Sequence, residues 1–506
     1  MSLRLAALSL AGHPDPERFA AEFSGSERTV AEYLLAEVLD RQPEPVRLLL
    51  LRTSVLERVN GELADLLTGD RGGERMLQDL EEANAFVVAL DARRSWFRYH
   101  HLFADLLQLK LRRTAPGEIT ALHATAAEWF AGHGFWVEAV RHAQAARDWT
   151  LAARLLADHW TDLQLGGQAA TVHALLAEFP ADVPVADAEL AAVAAADQLA
   201  WGSLDAAERY VMLADRGLAS VPAGRQAQAQ LLLGVVRLLL ASQRGDLPAV
   251  AEQARLLKSL AEASEAMQPG LGEELHGLAL INVGIAELWT ARYEAADRHL
   301  EQGTALAHRI GRPFLEFTGL AHQAPVEQLR WSLPRAAERS RQAVELAERH
   351  GWTDEQAAGT AYVVLADTLA WQGRLEEAEL WLQRAERTVK AEAEPAPQRW
   401  VHHTRGILEL ARGRNADAVA AFQSAEALAR RLAAPHMLVP RTQALLLHAL
   451  IRLGDTEHAE QILDDLGDEG RNRGVMRVPL AALRLAQRPA RGRRRARTGP
   501  GWLRAR

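Results

Sequence analysis

The chain has 506 residues, a formal net charge of −8 and no cysteine. Its hydrophobic content of 48% and charged content of 25% are those of a folded chain and exclude extended disorder. Without cysteine there are no disulfides or thiolate metal sites, which agrees with a cytoplasmic protein, and no apolar run is long enough to predict a membrane span.

The front of the chain, residues 28–112, predicts several helices followed by a hairpin. Helices are expected at residues 33–39, 46–51, 62–67 and 76–83, with breaks at the prolines and glycines between them. Two short β-prone runs, residues 86–90 and 96–99, flank the polar turn 91–95 and predict a hairpin. Helices followed by a hairpin are typical of a winged-helix domain.

The next segment, residues 114–165, predicts a helical connector. Apolar periodicity favours helices at residues 122–130, 136–145 and 149–160. A loose relative of a helix–turn–helix phrase, beginning at Ala131-Gly-His-Gly134, separates the first two of them.

That phrase recurs seven times farther along the chain, most clearly as Gln372-Gly-Arg-Leu375-Glu-Glu-Ala378. The fourth positions of the copies are Leu204, Leu247, Tyr293, Pro334, Leu375, Asn415 and Thr456. Their spacings run from 40 to 46 residues and are mostly about 41. A fixed period of this size predicts a solenoid of stacked helix pairs, although a plain helical bundle is an alternative.

The residues of the phrase explain why it recurs. Glycine ends the first helix of each pair, and the polar residue after it (Ser203, Asp246, Asp455) is expected to cap the second. An alanine three residues after the fourth position allows close helix approach. We therefore predict an all-α fold, a TPR-like helical-repeat superhelix preceded by a small winged-helix domain.

Three consecutive stretches carry a resemblance to a known family. Residues 31–69 (AEYLLAEVLDRQ…), 76–111 (MLQDLEEANAF…) and 122–149 (LHATAAEWFAG…) resemble the middle of large LuxR-type, MalT-like transcriptional regulators of the signal-transducing ATPase (STAND) class. That family implies, in order, a P-loop ATPase, a winged helix, a helical-repeat sensor and a DNA-binding helix-turn-helix.

This sequence departs from the family pattern at both ends. A P-loop needs a Gly-Lys pair, and no such pair occurs in the chain. After residues 475–487, where the DNA-reading helices should follow, an arginine-rich sequence follows instead. We therefore expect no ATP hydrolysis, no cofactor in this chain (ATP or ADP in full-length relatives) and no specific DNA binding by this chain alone.

The resemblance and the repeats together divide the chain into five expected parts. They are residues 1–27 (the end of an ATPase module), 28–113 (winged helix), 114–165 (connector), 166–485 (MalT-like repeat sensor) and 486–506 (arginine-rich tail). Residues 484–506 hold nine arginines and no acid, so the remaining body is acidic and does not predict a nucleic-acid surface. The tail is expected to be disordered; charge-based binding and a frameshift origin are alternatives.

His100 is the one candidate ligand-binding residue. In related signal-transducing ATPases a winged-helix histidine contacts the phosphates of ADP, and the resemblance places His100 at that position, with His101 where an aspartate is usual. The alternative is a structural role beside a core formed by Tyr99, Leu102, Phe103 and Leu106.

Other chemistry is not predicted. The adjacent pair His402 and His403 points in two directions on a helix and predicts no metal site. Tryptophans such as Trp201, Trp289 and Trp331 could stack on a flat ligand, but packing between repeats is the favoured interpretation. No catalytic arrangement is evident, so the chain is not expected to be an enzyme.

Three hypotheses of function remain open. The chain is expected to be the sensor and coupling portion of a MalT-like regulator, truncated at both ends, which binds a small-molecule inducer or a protein partner in the superhelix groove. The alternatives are a TPR-type adaptor for protein–protein interaction with no link to DNA, and a nonfunctional remnant. Self-association is possible under the first two.

Overall fold

The structure is a computed structural model that describes residues 39, 42–83, 86–244, 246–264, 271–389, 395–429 and 438–487. The chain divides into two compact units between Leu156 and Ala157. The predicted helix at 33–38, the expected ATPase remnant at 1–27 and the arginine-rich tail beyond Gln487 lie outside the described residues.

The first unit holds three helices, a hairpin and further helices. Their bounds are α1 Glu44–Thr53, α2 Gly61–Thr68, α3 Gly73–Glu82, β1 Val87–Ala89, β2 Phe97–Tyr99, α4 His101–Thr114, α5 Ile119–Gly132 and α6 Trp136–Ala145. The next helix, α7 Trp149–Leu165, contains the boundary between the two units. The two strands are antiparallel, with Val87 opposite Tyr99 and Ala89 opposite Phe97. The predicted helices in this region and the hairpin are confirmed.

Local chemistry fixes these elements. The side chain of Asn60 accepts a hydrogen bond from the backbone N–H of Leu63 and caps α2. In the hairpin turn the Asp91 carboxylate accepts from the backbone N–H of Ser95 at 2.8 Å. Behind the hairpin, the buried hydroxyls of Tyr99 and Thr53 hydrogen-bond at 2.5 Å and join β2 to α1.

The second unit is a succession of helical hairpins. After α8 Ala169–Ala177 and α9 Val183–Ala186 come α10 Ala188–Ala200, α11 Leu204–Gly217, α12 Gln226–Arg244, α13 Leu247–Ser264, α14 Leu271–Trp289, α15 Tyr293–Arg309, α16 Pro313–Leu329, α17 Leu333–His350, α18 Gln356–Trp371, α19 Leu375–Thr388, α20 Pro395–Ala411, α21 Asn415–Ala429, α22 Val439–Leu453, α23 Thr456–Asp465, α24 Gly467–Arg471 and α25 Arg477–Ala486. None of the described helices is long and apolar enough to cross a membrane.

From α10 to α23 the helices pair as seven repeats. We call the first helix of each repeat its A helix and the second its B helix. Each A helix packs on its own B helix, on the B helix before it and on the neighbouring A helices. In α18 every residue from Ala357 to Ala370 is buried, whereas its partner α19 buries a single stripe at Ala378, Leu382 and Ala385. The predicted all-α, TPR-like stack is confirmed.

The recurring phrase marks where each B helix begins, with one correction. B helices start at Leu204, Leu247, Tyr293, Leu375, Asn415 and Thr456 as predicted, but the fourth starts at Leu333 and not at Pro334. The reason is that Trp331, with φ of 62°, occupies the left-handed position that Gly202, Gly373, Gly413 and Gly454 hold elsewhere. The phrase was therefore misaligned by one residue in this repeat.

The expected caps of the B helices are confirmed in part. Asp455 accepts from the backbone N–H of His458 at 3.1 Å, and Asp246 accepts from that of Ala249 at 3.1 Å. The prediction for Ser203 is wrong: it occupies the N-cap position, but its side chain makes no capping hydrogen bond to the described residues of α11.

The third repeat offers a direct test of the turn. Ala291 has φ of 63° at the position where other repeats carry glycine. A side chain in this region costs about 1–2 kcal/mol, and glycine recovers most of that at some cost in chain entropy. We expect Ala291→Gly to raise the free energy of unfolding by about 0.5–1 kcal/mol, measured by urea denaturation. Gly373→Ala, at φ of 77°, is the matched reverse change and should lower it. Equal stability of both variants and the parent would contradict this account of the turn.

Candidate functional site

The second unit encloses a cavity among its A helices. It has a volume of about 160 Å³. Its wall is formed mainly by α10, α12, α14, α16 and α18, together with the end of α7 and the loop after it. Apolar side chains such as Ile281 and Leu278 make up most of the wall, as they do in small-molecule sites, and the volume suits only a ligand smaller than drug size.

A few polar groups converge on this cavity. His322 is 9% exposed, and its Nδ1 lies 2.8 Å from the carbonyl oxygen of Thr318. Burial lowers the pKa of His322 to about 4, so its imidazole is neutral at pH 7. With Nδ1 donating to the carbonyl, Nε2 is the acceptor of the ring.

Gln243 brings a second acceptor to the same cavity. Its amide Nε2 donates to the carbonyl oxygen of Leu199 at 3.5 Å, and its Oε1 is buried without a hydrogen-bond partner among the described residues. This oxygen has almost no surface open to the cavity, and a buried acceptor with no partner lowers stability, so rotation of the Gln243 side chain toward a ligand donor would be favourable. The cavity can thus accept a small polar molecule that donates hydrogen bonds.

Contacts also join parts of the second unit that are far apart in sequence. Arg312 at the start of α16 pairs with Asp162 of α7 at 3.1 Å. Trp289 at the end of α14 meets Trp400 of α20 edge to face, with ring centroids 6.4 Å apart. Gly167, with φ of 68°, allows the loop after α7 to pack on Phe314 and Trp352, where a Cβ atom would clash.

His100, the predicted nucleotide-sensing residue, lies at the N-terminal boundary of α4. It is partly exposed, and its ring centroid is 4.3 Å from that of His101. Burial, His101 and Arg98 lower its pKa. Beneath it Tyr99 and Phe103 are buried, but Leu102 is 40% exposed, so the core predicted there is wrong for Leu102. A phosphate contact by His100 stays a prediction.

The pair His402 and His403 divides between surface and core. His403 is 2% exposed, and its Nδ1 lies 2.9 Å from the Thr442 hydroxyl. The same hydroxyl accepts from Arg399 Nη2 at 3.2 Å, and Arg399 Nη2 also lies 3.0 Å from Glu426. His403 thus belongs to a buried polar network between α20 and α22. Among the described residues no group of three or more histidines and acids is arranged to hold a metal.

The tryptophans differ in how far they are buried. Trp289 and Trp400 are buried between repeats, as the packing interpretation predicts. Trp331 is 53% exposed and Trp201 is 41% exposed, so packing does not account fully for either ring. The ring of Trp201 lies 4.7 Å from that of His173, which is 3.0 Å from the buried carboxylate of Asp197.

Comparison with known proteins identifies the front of the chain. Residues 35–119 match the family model of the MalT winged helix domain. The chain is 35% identical to the serine/threonine-protein kinase PknK of Mycobacterium tuberculosis over 243 residues, which are 47% of this chain and 21% of PknK. It is 34% identical to the HTH-type transcriptional regulator MalT of Yersinia pestis over 162 residues, 32% of this chain and 18% of MalT. The chain spans about a fifth of the length of these relatives.

Solved structures give weaker likenesses. A signal-transducing ATPase (STAND) protein with a tetratricopeptide repeat sensor from Pyrococcus horikoshii aligns with a TM-score of 0.46 at 13% identity, over 95% of this chain and 74% of that one. The Cut9–Hcn1 assembly of the APC/C aligns with a TM-score of 0.42 at 14% identity, over 96% of this chain and 92% of that one.

The buried network around His403 predicts a pH dependence of stability. Burial, Arg399 and Arg441 lower the pKa of His403 to about 3. In the unfolded chain the His403 imidazole binds a proton near pH 6.5, whereas in the folded chain it does so only near pH 3. The stability that depends on neutral His403 is therefore fully present above pH 6.5 and is lost as the pH falls from 6.5 toward 3. His403→Gln should reduce the loss of unfolding free energy between pH 7 and pH 5 by about 2 kcal/mol.

The measurement is urea denaturation at several pH values. His402→Gln is the matched control, because the pKa of His402 is also lowered by burial but its side chain is only half-buried. An unchanged pH slope in His403→Gln would contradict the assignment.

Proposed function

We propose that this chain, whose residues 35–119 belong to the MalT winged helix domain family, is the sensor and coupling portion of a MalT-like transcriptional regulator. In this role the repeats recognise a signal and the winged helix passes it on. The observation that carries the proposal is the cavity among the A helices, with the buried acceptor Gln243 Oε1 in its wall. The winged helix that precedes the repeats is the second support.

The chemistry of the cavity defines the class of signal. Neutral His322 and Gln243 both present acceptors, and the rest of the wall is mostly apolar. Such a site favours a small, uncharged molecule with hydrogen-bond donors over an anion, whose desolvation it would not offset. The proposal assigns this chain no catalysis and no cofactor of its own.

A protein partner is the alternative signal. The half-exposed ring of Trp331 favours it, because exposed tryptophans at a rigid position are common anchors of protein interfaces. In this form the chain is a regulatory adaptor, and the cavity is a packing defect and not a ligand site.

A thermal-shift screen of the chain against small polar metabolites separates these possibilities. A ligand at one hundred times its Kd should stabilise the folded chain by about 2.7 kcal/mol. Gln243→Leu removes the buried acceptor at similar volume, so we expect it to leave the free chain at least as stable and to abolish the ligand-induced shift.

The matched control is Gln383→Leu, because Gln383 is exposed on α19 and bonds only locally, to Glu379. A shift that persists in Gln243→Leu places the ligand elsewhere. A screen without any stabilising molecule would contradict the small-molecule form of the proposal and favour a protein partner.

A further inference from the structure

One arginine joins the seventh repeat to the fourth, across the two repeats between them. Arg441, in the first turn of α22, donates from Nη2 to the carbonyl oxygen of Leu329 at 3.0 Å. Leu329 is the last residue of α16, so the contact joins the seventh repeat to the fourth. Solenoid repeats normally touch only their neighbours, and this hydrogen bond is an exception.

The Arg441 guanidinium is held by more than the carbonyl. Its carbon lies 4.9 Å from the centroid of the Trp331 ring, a cation–π distance. The edge of that ring meets Trp371 at a centroid distance of 5.1 Å. Burial lowers the pKa of Arg441, and the carboxylate of Asp367, 3% exposed, and the hydroxyl of Tyr293 oppose this shift without reversing it.

Asp367 is itself held in place. Gln328 donates from Nε2 to Asp367 Oδ2 at 2.6 Å and accepts from the Thr368 hydroxyl at 2.7 Å. A helix-end carbonyl and an aromatic face are two groups that a guanidinium prefers, and the held carboxylate of Asp367 adds an attractive charge. The arrangement is therefore a preorganised site for this cation.

Trp331 adds an independent observation. It is the residue that occupies the glycine position of the turn, with φ of 62°, although four other repeats carry glycine there. A bulky residue in this conformation is strained, and strain of this kind is kept where a side chain has a task. Packing is not that task, because the ring is 53% exposed.

We propose that the Leu329 carbonyl and the Trp331 ring form a guanidinium-binding site, filled here by the chain's own Arg441, and that an arginine side chain of a protein partner takes its place. Displacement of Arg441 releases the seventh repeat from the fourth. The ligand is an arginine side chain and not a small uncharged molecule, so the inference stands apart from the cavity lined by Gln243.

The first experiment measures amide hydrogen exchange of the helix Val439–Leu453 in the full chain. Arg441→Ala should raise its exchange about tenfold, the combined effect of one buried hydrogen bond and one cation–π contact. Added methylguanidinium should bind the emptied site of this variant and raise its melting temperature, although it carries no tether to the helix and leaves the fast exchange unchanged, whereas methylammonium should not raise the melting temperature. A melting temperature that methylguanidinium does not raise would overturn the site.

Trp331→Gly is a second variant, which removes the aromatic contact with Arg441 without unfolding the fourth repeat. It installs the residue that four other repeats carry and relaxes the backbone, so the fourth repeat stays folded. We expect the same tenfold rise in Val439–Leu453 and, in the double variant with Arg441→Ala, no rise in melting temperature on addition of methylguanidinium. Exchange equal to that of the parent chain would show that Trp331 does not hold Arg441.

The second experiment tests displacement in the unaltered chain with N-acetyl-arginine amide as the probe. Its addition should raise exchange in Val439–Leu453 and leave the helix Leu204–Gly217 unchanged, and the citrulline analogue should have no effect. If the arginine and citrulline probes act alike, no arginine competes for the site, and that part of the inference fails. The comparison of arginine and citrulline probes does not depend on the result of the metabolite screen, so the two proposals can fail separately.

Discussion

The structure depends on the burial of the A helices between their neighbours, which is most complete in α18. In α18, residues from Ala357 to Ala370 are buried against its own B helix and its neighbours, so no solvent-facing stripe remains. A helix of this kind has no stable existence in a lone pair, because its apolar surface needs the adjacent repeats. Small residues make the contacts possible: Gly284 of α14 lies against Leu300 so closely that a Cβ atom would clash.

Because the A helices are buried, the hydrogen bonding of their polar groups has a large effect on the stability of the fold. Gln328, Asp367 and Thr368 satisfy one another across two repeats, and Arg399, fully buried, is met by the Ala425 carbonyl and by Glu426. Buried groups of this kind lower stability when a partner is missing. Their pairing aligns the repeats in one register, and the places where pairing is incomplete are the places where a ligand can act.

The sequence predicted most helices because their signals are local. The helix Trp136–Ala145 has the predicted bounds, and the B helices follow a glycine turn that can be seen in the phrase itself. The fourth repeat was misaligned because Trp331 replaces that glycine, and only backbone geometry reveals the substitution. The cavity wall and the contact of Arg441 with Leu329 could not be predicted, since they join residues more than one hundred positions apart through the pitch of the stack.

The contacts across the inner face change how such a chain is expected to respond to force and heat. In an ordinary solenoid the terminal units fray first, and unfolding spreads from one unit to the next. Here the Trp289–Trp400 contact and the bond from Arg441 link the third to the sixth repeat and the fourth to the seventh. We therefore expect the third to seventh repeats to unfold as one cooperative block. A structural change in one of these repeats is then coupled to the others.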